Sequence, residues 1–171
     1  MAQNIEIKAR VHDLAVVEAR ARSVADQGPF EFEQDDTFFA CANGRLKLRE
    51  VAFDRGELIF YQRPDVSGPK LSQYFISTTS SPDVLRDTLA RALGVVGRVR
   101  KRRRLYLVRN TRIHLDQVEG LGSFLELEVV LSQAQSIADG EAIARRLLSV
   151  LGISDADLEL LAYVDLLRKD R

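Results

Sequence analysis

Apolar and charged residues alternate along several short stretches of the chain. In the stretches 4–10, 45–49, 112–116 and 126–128, every second residue is Ile, Leu or Ala, and most residues between them are charged. Successive side chains of a β-strand point to opposite faces of the sheet. Each stretch therefore predicts a strand with one apolar face and one charged face.

The same alternation, interrupted by turn residues, predicts eight strands in all. Asn43-Gly44 is a typical hairpin dipeptide, and Asp54-Arg55-Gly56 is a second short turn. Short connections favour antiparallel neighbours, and eight antiparallel strands can close into a barrel around a small ligand. The predicted strands cover 4–10, 35–41, 45–53, 57–63, 71–78, 98–109, 111–118 and 123–131.

Helices are predicted between and after these strands. Apolar residues at helical spacing indicate a helix over 13–27, which Gly28-Pro29 ends, and Pro82 suits the first turn of a second helix. Two further helices are predicted over 137–151 and about 155–168. The predicted fold is α+β, an eight-stranded antiparallel closed β-barrel with flanking helices.

Composition is that of an ordinary globular chain, with 171 residues, 46% hydrophobic and 29% charged. It predicts a single domain over 1–171 with a substantial core. The 25 basic and 25 acidic residues cancel, so overall charge favours neither nucleic acid nor a membrane as partner. Cys41 is the only cysteine, and no signal peptide or membrane-spanning run is evident, so a cytoplasmic location is expected.

The charges are less mixed in sign than on an ordinary solvated sheet. Arg45, Lys47 and Arg49 share one strand face without an acid, whereas Glu126 and Glu128 share another. For any single strand, a solvated face remains the simpler explanation. Across the whole set, however, rows of like charge repel each other unless something neutralises them. A phosphate chain would neutralise the basic rows, and a divalent cation the acidic row.

These charged rows supply candidate ligands for a divalent cation and candidate contacts for a phosphate chain. Hard cations such as Mg²⁺ or Mn²⁺ prefer carboxylate oxygens and often bridge them to substrate phosphates. The candidate metal ligands are Glu6, Asp116, Glu126 and Glu128. Basic side chains bind phosphate, Arg often through two parallel hydrogen bonds. The candidate substrate contacts are Lys8, Arg10, Arg45, Lys47, Arg49, Arg63, Lys101, Arg103 and Arg112, of which Lys8 and Arg63 are also expected to be catalytic.

Other reactive residues carry weaker signals. His114 could carry a proton, but a histidine in a strand is more often a simple polar contact. His12, His114 and Cys41 do not have the spacing of zinc ligands. The chain has no glycine-rich phosphate loop, so side chains would have to hold the phosphate. Tyr163 could belong either to the apolar core or to the site.

Several short segments follow one another along the chain in a specific order. They are Asn4-x-Glu6-x-Lys8, Asp36-Thr37-Phe38-Phe39, 44–50, Lys101-x-Arg103, 116–128 with its Gly120-Leu121-Gly122, and Tyr163-x-Asp165-Leu166-Leu167. In this order they resemble the CYTH superfamily, the triphosphate tunnel metalloenzymes, and Asn4-x-Glu6-x-Lys8 resembles the Glu-x-Glu-x-Lys signature of that superfamily. The resemblance covers nearly the whole chain and is closest to the class IV adenylyl cyclases.

The resemblance implies a tunnel that binds a triphosphate on basic walls and one or two divalent cations on acidic residues. Three positions depart from the family pattern: Asn4 replaces a signature Glu, Phe38 stands where thiamine triphosphatases have Tyr, and Arg63 stands where many members have Lys. The implied metal ligands are Glu6, Glu126 and Glu128, and the implied phosphate contacts are Lys8, Arg45, Lys47, Arg49, Lys101, Arg103 and Arg112.

The expected function is metal-dependent processing of inorganic triphosphate, ATP or a similar small molecule. Hydrolysis is favoured because it needs no base pocket, and cyclisation of ATP to cyclic AMP and pyrophosphate is the alternative. A third alternative is a module that binds polyphosphate or a nucleotide without turnover. Nucleic acid is not expected, since the basic strands lack interleaved aromatic residues. No membrane partner is expected, and a homodimer is left open.

Overall fold

Eight antiparallel strands close into a barrel, which confirms the predicted fold. The computed structural model describes residues 2–66 and 68–169. The strands are β1 (Ala2–Arg10), β2 (Gln27–Phe39), β3 (Arg45–Ala52), β4 (Arg55–Gln62), β5 (Lys70–Thr79), β6 (Val95–Val108), β7 (Thr111–Val118) and β8 (Gly122–Val130). Their order around the barrel is β1-β5-β4-β3-β2-β6-β7-β8. The helices are α1 (Leu14–Val24), α2 (Pro82–Leu93), α3 (Ile137–Leu151), a 3-10 turn (Asp155–Asp157) and α4 (Tyr163–Lys169).

The apolar core lies outside the barrel wall rather than inside it. On β1, Ile5 and Ile7 point outward and are fully buried, whereas Glu6 and Lys8 point into the barrel. The outward side chains of β1, β7 and β8 pack against the apolar faces of α1 and α3. Each such buried aliphatic side chain contributes roughly 1.5–3 kcal/mol to folding. Because helices cover the apolar faces, the charged faces are left to line the interior.

A C-terminal segment, residues 158–169, covers one end of the barrel. Its Ala162, Tyr163, Val164 and Leu166 form a second apolar cluster with residues that include Phe124. We call this the covered end. The opposite end, where β5 finishes at Thr79 and β8 at Val130, is called the open end.

Helix α1 is shorter than predicted and β2 is longer. The helix ends at Val24, and β2 begins at Gln27, eight residues before the predicted start at 35. Gly28-Pro29 lies within β2, where a register shift against β6 interrupts the ladder. Gly28 has a positive φ of 116°, and a Cβ there would meet the Leu105 carbonyl oxygen at 2.6 Å. The Gly-Pro pair therefore marks an irregularity in a strand rather than its absence.

The predicted helix over 155–168 is wrong in its first half. Residues 155–157 form a single 3-10 turn, and regular helix begins only at Tyr163. Between them the chain is held against β1, since Glu159 N–H donates to the Lys8 carbonyl at 2.8 Å and Leu158 forms an isolated bridge with Ala9. The described part of the chain contains no helix long and apolar enough to cross a membrane.

Candidate functional site

The barrel interior contains a cavity of about 160 Å³ lined by side chains of both charges. Three of the predicted carboxylates and seven of the predicted basic residues line it, together with a fourth carboxylate, Asp36. The strand alternation explains this, since the inward positions of β1, β3 and β8 are mostly charged and those of β6 include Lys101 and Arg103. The predicted site residues on the lining are Glu6, Lys8, Lys47, Arg49, Arg63, Lys101, Arg103, Arg112, Glu126 and Glu128.

The three glutamates of the cavity come from neighbouring strands. Glu6 on β1 lies directly opposite Glu128 on β8, and Glu126 lies opposite Lys8. Glu126 Oε1 is 3.2 Å from the Lys8 ammonium, and Arg63 pairs with Glu6. Burial alone raises the pKa of Glu126, but Lys8, Lys101 and Arg103 outweigh burial and hold its pKa well below its usual range.

These carboxylates fit a hard divalent cation by the chemistry of their donor atoms. Glu6 and Glu128 are like charges on directly opposed positions, an arrangement that a cation between them would relieve. Among residues 2–66 and 68–169, no three His, Cys, Asp or Glu side chains form a ready metal site. Each carboxylate instead pairs with a basic side chain; for Glu128 this is Arg112, at 3.3 Å.

Asp116 lies beneath the cavity lining rather than on it. Its side chain is fully buried and accepts hydrogen bonds from Lys101 Nζ at 3.0 Å, Arg103 Nε at 2.7 Å and the Tyr163 hydroxyl at 3.0 Å. Burial raises the pKa of Asp116, but Arg103 and Lys101 outweigh burial and lower the pKa to about 2. The predicted metal-ligand role stays a prediction, and these contacts favour a role in positioning Lys101 and Arg103.

Asp36 organises a second group of basic side chains. Lys47 Nζ donates to Asp36 Oδ2 at 2.7 Å, and Arg49 makes two hydrogen bonds to the same carboxylate, at 2.8 and 2.9 Å. Burial, helped by Arg49, lowers the pKa of Lys47 to about 8. Asp36 is not among the site residues predicted from the sequence, because its position opposite Arg49 follows from the register of β2 against β3.

Two predicted substrate contacts, Arg10 and Arg45, lie away from this cavity. The Arg10 guanidinium is 3.4 Å from Glu159 and lies over the Phe124 ring. Arg45 donates to Asp65 and to Asp165, so it joins the segment after β4 to helix α4. Both residues lie near the covered end of the barrel. The position of Arg112 is different, because its half-exposed side chain lies toward the open end.

Tyr163 and His114 are both close to the charged residues of the site. Tyr163 lines the cavity, and the Lys8 ammonium lies 3.9 Å from the centre of its ring. Its ring also packs against Phe124, so Tyr163 belongs both to the apolar core and to the cavity lining. His114 is buried behind the lining with Nε2 3.2 Å from Glu128 Oε2, and burial lowers its pKa.

One wall of the cavity is apolar, and the sequence pattern does not predict it. Ile59 and Tyr61 of β4 lie opposite Ile76 and Tyr74 of β5. The strands β4 and β5 carry apolar residues on both faces, so alternation gave no signal there. This wall makes the cavity chemically asymmetric.

Comparisons with known proteins agree with this architecture. A CYTH domain model matches residues 2–163. No curated protein matches the chain significantly.

Similar solved structures share the fold at low sequence identity. The PH1012 protein of Pyrococcus horikoshii OT3 has a TM-score of 0.85 at 24% identity, covering 95% of this chain and 98% of that one. A candidate adenylate cyclase of Vibrio parahaemolyticus has a TM-score of 0.77 at 18% identity, covering 96% and 97%. HpAC1 of Hippeastrum, described as having a dominant triphosphatase activity, has a TM-score of 0.67 at 17% identity, covering 98% and 96%. The CYTH domain model spans most of the chain, and the chain therefore belongs to the CYTH family.

Proposed function

We propose that this protein is a divalent-metal-dependent enzyme that hydrolyses the terminal phosphoanhydride bond of a triphosphate. The observation that carries the proposal is the cavity itself, in which four carboxylates and a larger set of Lys and Arg side chains face one another inside a closed barrel. Such a mixture suits a polyanion and a cation bound together. Membership of the CYTH family supports the same class of substrate.

Glu6, Glu126 and Glu128 would hold the cation, Mg²⁺ or Mn²⁺. They are carboxylates of one cavity on adjoining strands, which gives rigid positions to the ligands. A bound cation would supply charge neutralisation at the phosphate oxygens and would favour ionisation of an attacking water. Asn4 takes the place of a further carboxylate and contributes a neutral oxygen instead.

The basic side chains would bind and orient the phosphate chain. Lys101 and Arg103 are positioned by Asp116, and Lys47 and Arg49 by Asp36. Their fixed positions mean that little reorganisation is needed when charge shifts during phosphoryl transfer. Arg112, nearer the open end, would contact the chain where it leaves the cavity.

Lys8 and Arg63 are the proposed catalytic residues. Lys8 is next to Glu126 and Arg63 is next to Glu6, so each carries positive charge into the carboxylate side of the cavity. In the reaction, a water oxygen bonds to the terminal phosphorus and the bridging P–O bond breaks. The bridging oxygen leaves with the electron pair on the diphosphate part of the substrate, and a proton of the water passes to solvent. Lys8 and Arg63 would stabilise the negative charge on the transferred group.

Cyclisation of ATP is the second candidate, and the apolar wall of Ile59, Tyr61, Tyr74 and Ile76 is the observation that favours it. That wall could contact the base, which a cyclase must hold while the ribose hydroxyl attacks the α-phosphorus. Binding without turnover is a third candidate, favoured by the loss of a carboxylate at Asn4.

Product analysis distinguishes hydrolysis, cyclisation and binding without turnover. The purified protein is incubated with ATP and Mg²⁺ or Mn²⁺, with a chelator control, and products are separated by chromatography. ADP and orthophosphate are the result expected from hydrolysis. Cyclic AMP with pyrophosphate would establish the cyclase instead. Binding by calorimetry without any product, from either ATP or inorganic triphosphate, would leave the non-catalytic module.

A further inference from the structure

His114 is a buried residue to which the proposed function assigns no role. It lies on β7, on the same strand face as Arg112 and Asp116, and its side chain is 6% exposed. We propose that His114 is a nitrogen ligand of the cation site, and that it makes this site prefer a first-row transition-metal ion over Mg²⁺. The inference rests on the metal site of the proposed function and specifies the class of ion that binds there.

Strand register brings the His114 ring to the carboxylate side of the cavity. His114 is directly opposite Glu126 on β8, and side chains at directly opposed positions of an antiparallel pair are in contact range. His114 Nε2 lies 3.2 Å from Glu128 Oε2. Glu128 in turn is directly opposite Glu6 on β1. His114 therefore lies at the edge of the group of three glutamates that are proposed to hold the cation.

The contact between His114 and Glu128 is close, but it is not an aligned hydrogen bond. Both ring nitrogens of His114 are buried, and neither has a hydrogen-bond partner among the described residues. Buried polar atoms without a partner are unfavourable, and each one calls for a specific explanation such as a bound ion. Two ligand atoms that each bind one cation at about 2.1 Å, at right angles, are about 3.0 Å apart. The observed separation of 3.2 Å between Nε2 and Glu128 Oε2 is close to that value.

The surroundings of His114 favour the neutral ring, which is the form that binds a metal ion. Burial and the nearby Arg103 lower the pKa of His114, and the carboxylates of Glu128 and Asp116 offset this only in part. Arg112 Nη1 also lies 3.3 Å from Glu128 Oε2, but the Arg112 side chain is 43% exposed. Arg112 can therefore turn toward solvent when a cation binds between His114 and Glu128.

An imidazole nitrogen changes the preference of a site whose other ligands are carboxylates. Mg²⁺ prefers oxygen ligands and keeps several bound waters, whereas imidazole suits transition metals of the first row. Affinity for a site with nitrogen and oxygen ligands rises from Mn²⁺ to Co²⁺ along that row. We therefore expect Co²⁺ to bind more tightly than Mg²⁺, and the difference to depend on His114.

Pulsed electron paramagnetic resonance of bound Mn²⁺ tests the ligand directly, because a bound imidazole nitrogen couples to the unpaired electrons of the ion. The protein is purified without a histidine tag, and ¹⁵N-labelled histidine identifies the coupled nitrogen. The sequence has two histidines, so substitution assigns the coupling to one of them. His114→Gln and His114→Phe remove the proposed ligand. His12→Gln is the matched control, since His12 is 84% exposed and contacts Asp157.

We expect histidine coupling in the wild type and in His12→Gln, and its loss in both His114 variants. By calorimetry, the preference for Co²⁺ over Mg²⁺ should fall about tenfold or more in the His114 variants and stay unchanged in His12→Gln. Bound Mn²⁺ without histidine coupling, or equal losses of Co²⁺ and Mg²⁺ affinity in the His114 variants, would overturn this inference and leave the carboxylate site standing. Failure of the wild type to bind any of these ions would overturn the metal site of the proposed function itself.

Discussion

The Tyr163 hydroxyl donates a hydrogen bond of 3.0 Å to Asp116 Oδ2, joining the segment that covers the barrel to strand β7. The same carboxylate oxygen accepts hydrogen bonds from Lys101 at 3.0 Å and from Arg103 at 2.6 Å. One buried carboxylate thus holds both the covering segment and two candidate phosphate contacts. Closure of one end of the barrel and the positions of its basic groups are coupled through Asp116.

Tyr163→Phe should lower the free energy of unfolding by about 1–2 kcal/mol, because the variant loses a buried hydrogen bond to an ionised acceptor. Chemical denaturation followed by circular dichroism measures this. Tyr74→Phe is the matched control, since Tyr74 is a partly exposed tyrosine of the same cavity, and its change should stay within about 0.5 kcal/mol. Equal effects in the two variants would show that the Tyr163–Asp116 bond contributes nothing specific.

Asp116→Asn should destabilise the fold by about 3 kcal/mol or more, because Lys101 and Arg103 would lose the charge that balances them in a buried place. Its affinity for Mn²⁺, measured by calorimetry on the folded variant, should change little if Asp116 only positions these groups. A loss of Mn²⁺ affinity as large as that of a cavity carboxylate variant would instead make Asp116 a metal ligand, as the sequence predicted.

Glu128→Gln should weaken Mn²⁺ binding by on the order of tenfold or more, because a neutral amide replaces a hard anionic ligand. Glu33→Gln is the control, since Glu33 is an exposed acidic residue of β2. Calorimetric titration with Mn²⁺ compares the two, and circular dichroism confirms that both are folded. Wild-type affinity in Glu128→Gln would remove this carboxylate from the proposed metal site.

Binding of inorganic triphosphate should weaken as the pH rises from about 7 to 9.5. Burial, with Arg49 and Lys101 nearby, lowers the pKa of Lys47 to about 8, and Asp36 offsets this only in part. Lys47 therefore loses its charge in the free protein over this range, and binding of an anion must restore the proton. Calorimetry in buffers of different ionisation enthalpy measures the proton taken up.

Lys47→Arg is the control for that pH dependence, because the guanidinium stays charged throughout the range. Its affinity should fall less with pH than that of the wild type. The lowered pKa of Lys47 in the folded protein also raises the free energy of unfolding as the pH rises from about 8 to 10.5. In this range the unfolded chain holds more protons on Lys47 than the folded chain does. Identical pH profiles for wild type and Lys47→Arg would exclude Lys47 from the phosphate site.

The inward and outward faces of the strands could be predicted from the sequence wherever one face was charged. Glu126 and Glu128, for example, alternate with Leu125 and Leu127, and the structure places the pairs on opposite faces of β8. The first part of β2 was missed although Phe30-Glu31-Phe32-Glu33 alternates in the same way, because the strand was predicted to begin only at 35, after the break indicated by Gly28-Pro29. Its Phe30 and Phe32 are each about two-fifths exposed, so this alternation does not mark a buried face.

The covering segment could not be predicted because its conformation depends on distant partners. Lys8 and Lys70 donate hydrogen bonds to the carbonyls of Leu161 and Leu160, which would otherwise be available to a helix. Local helical periodicity in this leucine-rich run therefore gave the wrong result. The roles of Asp36 and Asp116 in pairing with specific Lys and Arg residues likewise follow from strand register, which a single sequence does not reveal.

The most direct test of the central claim is the release of orthophosphate from inorganic triphosphate by the purified protein, with Mn²⁺ and with a chelator in its place. The cavity predicts release with Mn²⁺, loss of release with the chelator, and recovery when Mn²⁺ is restored. It also predicts a strong decrease in Glu128→Gln but not in Glu33→Gln. Absence of release from both inorganic triphosphate and ATP, in folded protein saturated with metal, would contradict the claim that the charged interior of this barrel processes a triphosphate.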